Sequence, residues 1–169
     1  MTYRRRRTAL TGIAGAIVLI GLLASGCQMK RAPESGPATG QESDYVTAIH
    51  DVLSVDGELG MQRNRATETE SIVSSIRAYV AGIDGTDFGA CPEDFTEAFR
   101  WHRDAWEKSI AFFERFPSLR GEMHDVFEAI RSEGGETQTE LEHVEALIWD
   151  SWAEVEAVAA DYGAIEPSR

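Results

Sequence analysis

Hydrophobic and polar positions divide the chain into three regimes. An apolar run from Ala9 to Ala24 stands behind Arg4, Arg5, Arg6 and Arg7. From Gln28 to Ser43 the residues QMKRAPESGPATGQES offer almost nothing apolar to bury, and Pro33 and Pro37 sit among Gly, Ser, Glu and Thr. Such a composition predicts a disordered linker with a reach of roughly 20–25 Å. From Asp44 onward apolar residues recur every three or four positions, the period of an α-helix, and strand-type alternation is scarce.

Within the third regime Tyr45, Ile49 and Val52 predict a short first helix ending near Asp56-Gly57. Ile72, Ile76, Tyr79, Val80 and Ile83 predict a second, starting either at Glu58 or after Thr67, where Thr67-x-x-Glu70 has the form of a capping box. Cys91-Pro92-Glu93-Asp94 reads as the start of a third, with proline preset for the first turn and two carboxylates near the positive end of the helix dipole. Phe95, Phe99, His102, Trp106, Ser109, Phe113 and Phe116 then follow at alternating steps of four and three, flanked by Ala98, Trp101, Ala105 and Phe112. So wide an apolar face predicts a central helix touching neighbours on two sides.

Pro117-Ser118 is expected to cap a fourth helix carrying Leu119, Met123, Val126, Phe127 and Ile130, closed by Gly134-Gly135. Thr137-x-x-Glu140 is expected to open the last as a second capping box, with Leu141, Val144, Ile148, Ser151, Val155, Val158 and Tyr162 on one seam. Glu142, Glu145, Asp150, Glu154, Glu156 and Asp161 stand between them with no lysine or arginine. The predicted architecture is all-α, an antiparallel bundle of four to five helices over residues 44–165.

The opening regime has the parts of an export signal: basic residues, an apolar stretch, then small Ser25 and Gly26 before Cys27. Leu23-Ala24-Ser25-Gly26-Cys27 resembles the lipobox of bacterial lipoproteins, with Ala24 where leucine is commonest. The resemblance covers the first 27 residues and implies cleavage before Cys27 and acylation of that cysteine. It divides the chain into a signal peptide over 1–26, a lipidated cysteine and linker over 27–43, and the helical domain. Each buried CH₂ contributes about 0.8 kcal/mol, so two or three acyl chains hold a protein stably to lipid. Read instead as an uncleaved anchor, the apolar run places the domain on the same side of the membrane, though Gly12, Gly15 and Gly21 weaken it as a permanent helix. Arg6-Arg7 raises twin-arginine export, which the following Thr8-Ala9-Leu10 fits poorly. Gln28, in place of the Asp linked with inner-membrane retention in that family, implies the outer membrane in a two-membrane bacterium.

Charge narrows the partners. The chain has 16 basic and 29 acidic residues, and the signal removes four arginines and no acid, leaving 12 − 29 = −17 with histidines neutral. So acidic a surface repels nucleic acid, which is not an expected partner. Lys30 and Arg31 lie beside the anchor, where basic side chains gain about 1 kcal/mol each against anionic lipid. The expected partners are membrane lipid, through acylated Cys27, and an envelope protein.

Candidate chemistry centres on His102, the histidine within an apolar stripe; His50, His124 and His143 fall off the stripes. With Trp101 and Trp106 it forms the set of candidate ligand or contact residues. Two readings stay open: a ligand or base in an interhelical pocket, or a core histidine with a hydrogen-bond partner. Carboxylates or a second histidine around it favour the first reading.

Glu140-Leu141-Glu142-His143 holds one Glu-x-x-His, whereas a di-iron bundle needs two such pairs and two further glutamates. No Cys-x-x-Cys-His exists for covalent haem. Cys91 stands at a helix start, which can activate a thiol, but His102 is roughly 16 Å along the same helix, so packing is the expected role. The acids and glycines between Asp84 and Gly89 lack the ligands of a calcium loop and read as turn chemistry.

The phrase CPEDFTEAFRWHRDAW resembles uncharacterised helical proteins of bacterial envelopes, of the form Pro-x-x-Phe-x-x-Ala-aromatic-x-x-His-x-x-Ala-Trp, and implies no activity. No cofactor, metal or catalytic residue is expected. The sequence reads as a non-catalytic, membrane-anchored interaction or structural module offering partners its acidic face and exposed aromatics such as Trp101, Trp149 or Trp152. The alternative is a small-ligand or metal-binding bundle centred on His102.

Overall fold

A computed structural model of the chain describes residues 39–166. The export signal, Cys27 and the linker up to residue 38 lie outside the described residues. Five helices and no strand occur among those described: α1 (Thr39–Ala66), α2 (Ile72–Asp84), α3 (Glu93–Phe113), α4 (Met123–Arg131) and α5 (Gly135–Asp161). No described helix is long and apolar enough to cross a membrane.

The first helix departs most from expectation. It begins at Thr39, inside the stretch read as linker, and runs unbroken through Gly57 and Gly60 to Ala66. Glu42 in its first turn complements the helix dipole. A mid-helix glycine costs about 1 kcal/mol relative to alanine. That is less than the anchorage on either side of Gly57, where Ile49 and Val52 are buried and Asp56 and Arg63 are held by α2 and α3. Thr67 opens no capping box. Its hydroxyl donates back to the Asn64 carbonyl at 2.7 Å, and its own carbonyl accepts from Gly121 N–H at 2.9 Å, tying the end of α1 to the segment before α4. The N-cap of α2 is Ser71, whose side chain accepts from Ser74 N–H at 3.1 Å.

The third helix is central, as its wide apolar face requires. It packs against α2 on one side and α5 on the other, while α1 packs on α2 and α4 on α5. Phe95, Phe99 and Phe113 are fully buried beside Ile49, Ile72, Ile76, Ile130, Leu141 and Ile148. Each such side chain contributes about 1.5–3 kcal/mol on leaving water, so this layer dominates the stability. Every specified position of the Pro-x-x-Phe phrase, from Pro92 to Trp106, is buried, which identifies the phrase with the packing face of α3.

Two helix starts fall later or earlier than expected. Pro117-Ser118 belongs to a turn, and α4 begins only at Met123, with Leu119 left outside it. The amides of Leu119 and Gly121 are committed to Phe116 and Thr67, and Gly121 takes a φ of +135°, so this segment cannot be a first helical turn. The last helix opens at Gly135 after Gly134, whose φ is +69°. Thr137 and Glu140 form no capping box there, because Gly134 is the N-cap and Thr137 lies inside the helix; Arg115, just beyond α3, bonds both side chains. Trp152, expected among the exposed aromatics, is half-buried against Phe99.

The two kinds of glycine respond oppositely to alanine. A methyl group added at Gly57 meets nothing within 4 Å, whereas Gly134 has the same open space but a left-handed backbone. Gly57→Ala should stabilise by about 0.5–1 kcal/mol and Gly134→Ala should destabilise by about 1 kcal/mol. Urea unfolding of both variants measures this; destabilisation by Gly57→Ala is the result that contradicts a continuous α1.

Candidate functional site

His102 and Trp106 stand four residues apart on α3, one turn on the same face. Trp106 Nε1–H donates to His102 Nε2 at 3.2 Å, which leaves Nδ1 as the protonated nitrogen of a neutral ring. That Nδ1 lies 3.0 Å from Ser151 Oγ on α5, and the serine hydroxyl donates onward to the Ile148 carbonyl at 2.8 Å. The chain of donors is self-consistent and ends on backbone. Among the described residues no buried side-chain nitrogen or oxygen lacks a partner.

The other side of the cluster comes from α1 and α2. The Arg63 guanidinium lies over the Trp106 ring at 3.9 Å and over the Tyr79 ring at 4.7 Å, close cation–π geometry. Tyr79 meets Trp106 edge-on with centroids 5.6 Å apart, and its hydroxyl donates to Asp56 Oδ1 at 2.5 Å. Burial raises the Asp56 carboxyl above its ordinary value, outweighing the Tyr79 hydrogen bond and the Arg63 charge. Burial likewise lowers Arg63, opposed by Tyr79 and Asp56, and raises the Tyr79 phenol. His102 falls to about 4, first through burial and then through the Arg63 charge, with the Ile148 carbonyl opposing both.

Residues of α1, α2 and α3 thus meet at the Trp106 ring, and α5 joins through Ser151 on His102. Beside it lies a cleft of about 310 Å³ between α1, α3, α4 and α5, walled by Trp106, Met123, Phe127, Ile148 and Trp149. Arg63 and the Arg131–Glu145 pair stand in its lining. A larger groove of about 550 Å³ between α1 and α2 is lined by Val52, Val55, Leu59 and small residues, with Asp51 and Asp87 its charged members. The cleft at Trp106 is the candidate site because it combines an apolar floor with converging polar groups.

The predicted trio is split. His102 and Trp106 are bonded and 4% exposed, whereas Trp101 is 40% exposed and takes no part in their network. Among the described residues no carboxylate or second histidine is hydrogen-bonded to His102; its nitrogens meet Ser151 and Trp106. His50, His124 and His143 are exposed. Among the described residues no group of three or more His, Cys, Asp and Glu side chains is placed to hold a metal ion. Glu140 of the Glu-x-x-His pair is engaged by Arg115.

Cys91 is half-buried, and its thiol is pushed up by burial and by Asp87 and Asp51, the reverse of helix-end activation. Cys27 lies outside the described residues. Sequence reasoning passed over Asp56 and Arg63. The signal was present: Tyr45, Ile49, Val52, Asp56, Leu59 and Arg63 continue one stripe at steps of four and three, with two opposite charges in it.

The chain matches no protein-family model, no curated protein and no solved structure. Geometry and sequence therefore carry the functional reading.

His102 makes stability depend on pH. Its folded value of about 4 lies below the ordinary imidazole value of 6.5, so between these limits the unfolded chain binds a proton that the fold refuses. The contribution is complete above pH 6.5 and is lost as pH falls toward 4, by roughly 3 kcal/mol in all. Between about pH 7 and pH 5 the wild type should lose about 2 kcal/mol more than His102→Gln in urea unfolding. Equal losses would show that His102 stays accessible to protons in the fold.

Proposed function

We propose that the chain is an exported bacterial lipoprotein, held to a membrane by acyl chains on Cys27, whose helices serve there as a non-catalytic interaction or structural module. The observation that carries the reading is the sequence Leu23-Ala24-Ser25-Gly26-Cys27 behind an apolar run and four arginines, with a polar linker following. In this reading residues 1–26 are removed, 27–43 tether, and 44–165 form the working domain at the lipid surface. In a two-membrane bacterium that surface belongs to the outer membrane.

The working domain is proposed to be an antiparallel bundle. Cross-helix pairs support this: Asp94 accepts from the Tyr162 hydroxyl, His102 meets Ser151, and Arg115 pairs with Glu140. Position rises along α3 as it falls along α5. A module of this kind needs accessible charge for a basic envelope partner, and Glu142, Asp150, Glu154 and Asp161 are all exposed on α5. The engagement of both His102 nitrogens and the raised thiol of Cys91 speak for packing roles at the two positions first considered for chemistry.

The test compares the full chain with its Cys27→Ser variant in a bacterial host, by mass spectrometry of the N-terminus and by membrane pelleting. The wild type should begin at Cys27 with acyl mass and pellet with membranes. The variant should retain the N-terminal arginines and carry no acyl group. A wild-type chain with a bare thiol at Cys27 and its arginines attached, or a variant processed and retained like the wild type, overturns the reading.

A further inference from the structure

We infer that the cleft beside Trp106 is a binding site for a small apolar monocarboxylate, an arylalkanoate or short aliphatic acid. Its carboxylate would meet Arg63 and its body would lie on Trp106, Phe127 and Ile148. The inference is independent of the lipid anchor.

Arg63 is the starting point. Arg77, Arg103, Arg115 and Arg131 each hold a carboxylate, in a chain with 29 acidic residues to spare. Arg63, like Arg65, Arg100 and Arg120, forms no ion pair with any described residue, and of these four it is the one that lines the cleft. The nearby Asp56 is bonded to the Tyr79 hydroxyl, and the hydrogen-bond acceptor of the guanidinium is Asn64 Oδ1, at 3.4 Å from Nε and 3.3 Å from Nη2. Nη1 makes no hydrogen bond within the described residues, where no side-chain nitrogen is both buried and unpartnered, so it is reached by solvent, and Arg63 lines two cavities.

Those cavities are two, and what separates them is whether their carboxylates are ion-paired. The smaller, about 170 Å³ beside Tyr79, also holds Glu70, which repels an anion. In the cleft, the carboxylates are already committed: Arg131 Nη2 lies 2.8 Å from both Glu145 oxygens, and Arg131 Nη1 bonds Glu128. Arg63 is left as the guanidinium with no carboxylate in ion-pair contact above an apolar floor, its nearest counter-charge, Asp56, being bonded to Tyr79. One guanidinium without a carboxylate in contact fits one carboxylate, and the planar fork suits that group better than it suits a hydroxyl. The cleft's volume of about 310 Å³ lies at the small end of ligand pockets, which sets the size of the acid.

The test uses the full chain in phosphatidylcholine nanodiscs, with empty nanodiscs as the blank, titrated calorimetrically with hydrocinnamate, phenylpropanol and phenylpropylamine. The three share a body and differ in charge. Hydrocinnamate should bind saturably at one site per chain, about tenfold or more tighter than phenylpropanol, with phenylpropylamine weakest. In Arg63→Met the preference for the acid over the alcohol should vanish. Comparable affinity for all three, or no saturable binding of hydrocinnamate by the wild type, overturns the inference without recourse to a variant. A folded Arg63→Met that keeps the preference also overturns it.

Discussion

The indole ring of Trp106 is the point at which the interior is decided. Its N–H reaches His102, its face takes the Arg63 guanidinium, and its edge meets Tyr79, so α1, α2 and α3 share one side chain and α5 joins through Ser151. Polar groups in a low-dielectric core are expensive unless every partner is present. A slip of α3 by one residue turns its face by about 100° and would strand the histidine, the serine and the arginine together. Apolar packing supplies most of the stability, and this network selects one register for it.

Around that core the arginines act as clasps between helices. Arg103 on α3 meets Asp84 at the end of α2 at 2.8 and 2.9 Å and also bonds Asp104 and Glu107 on its own helix. Arg77 joins α2 to Glu114, and Arg131 joins α4 to Glu145. Exposed pairs of this kind contribute about 0–1 kcal/mol each. Their effect is to relieve repulsion in a strongly acidic chain at the seams where helices meet, while the outer side of α5 stays negative.

Helix type and the central rank of α3 were legible because steps of three and four residues repeat over long segments and phenylalanines fill one face. The boundaries were less so, and for a consistent reason. Gly57 reads locally as a stop, yet α1 continues because distant residues hold both sides of it. Thr67-x-x-Glu70 and Thr137-x-x-Glu140 have the spacing of caps, but Gly121 and Arg115 reach those residues from elsewhere in the chain. His102 and Trp106 stood out as a polar and an aromatic residue on an apolar stripe. Arg63 did not, because an arginine in an acidic helix reads as surface until the fold lays it on an indole.

The length of α1 has a mechanical consequence. At 1.5 Å per residue, Arg63 stands about 36 Å along the helix from Thr39. The cleft lined by Arg63 and Trp149 thus lies toward the end of the rod remote from Thr39. A pull applied at Thr39 is taken up first by Ile49 and Val52, both buried, before any of it reaches the guanidinium. The apolar layer thus grips the rod between Thr39 and the guanidinium that lies on the indole.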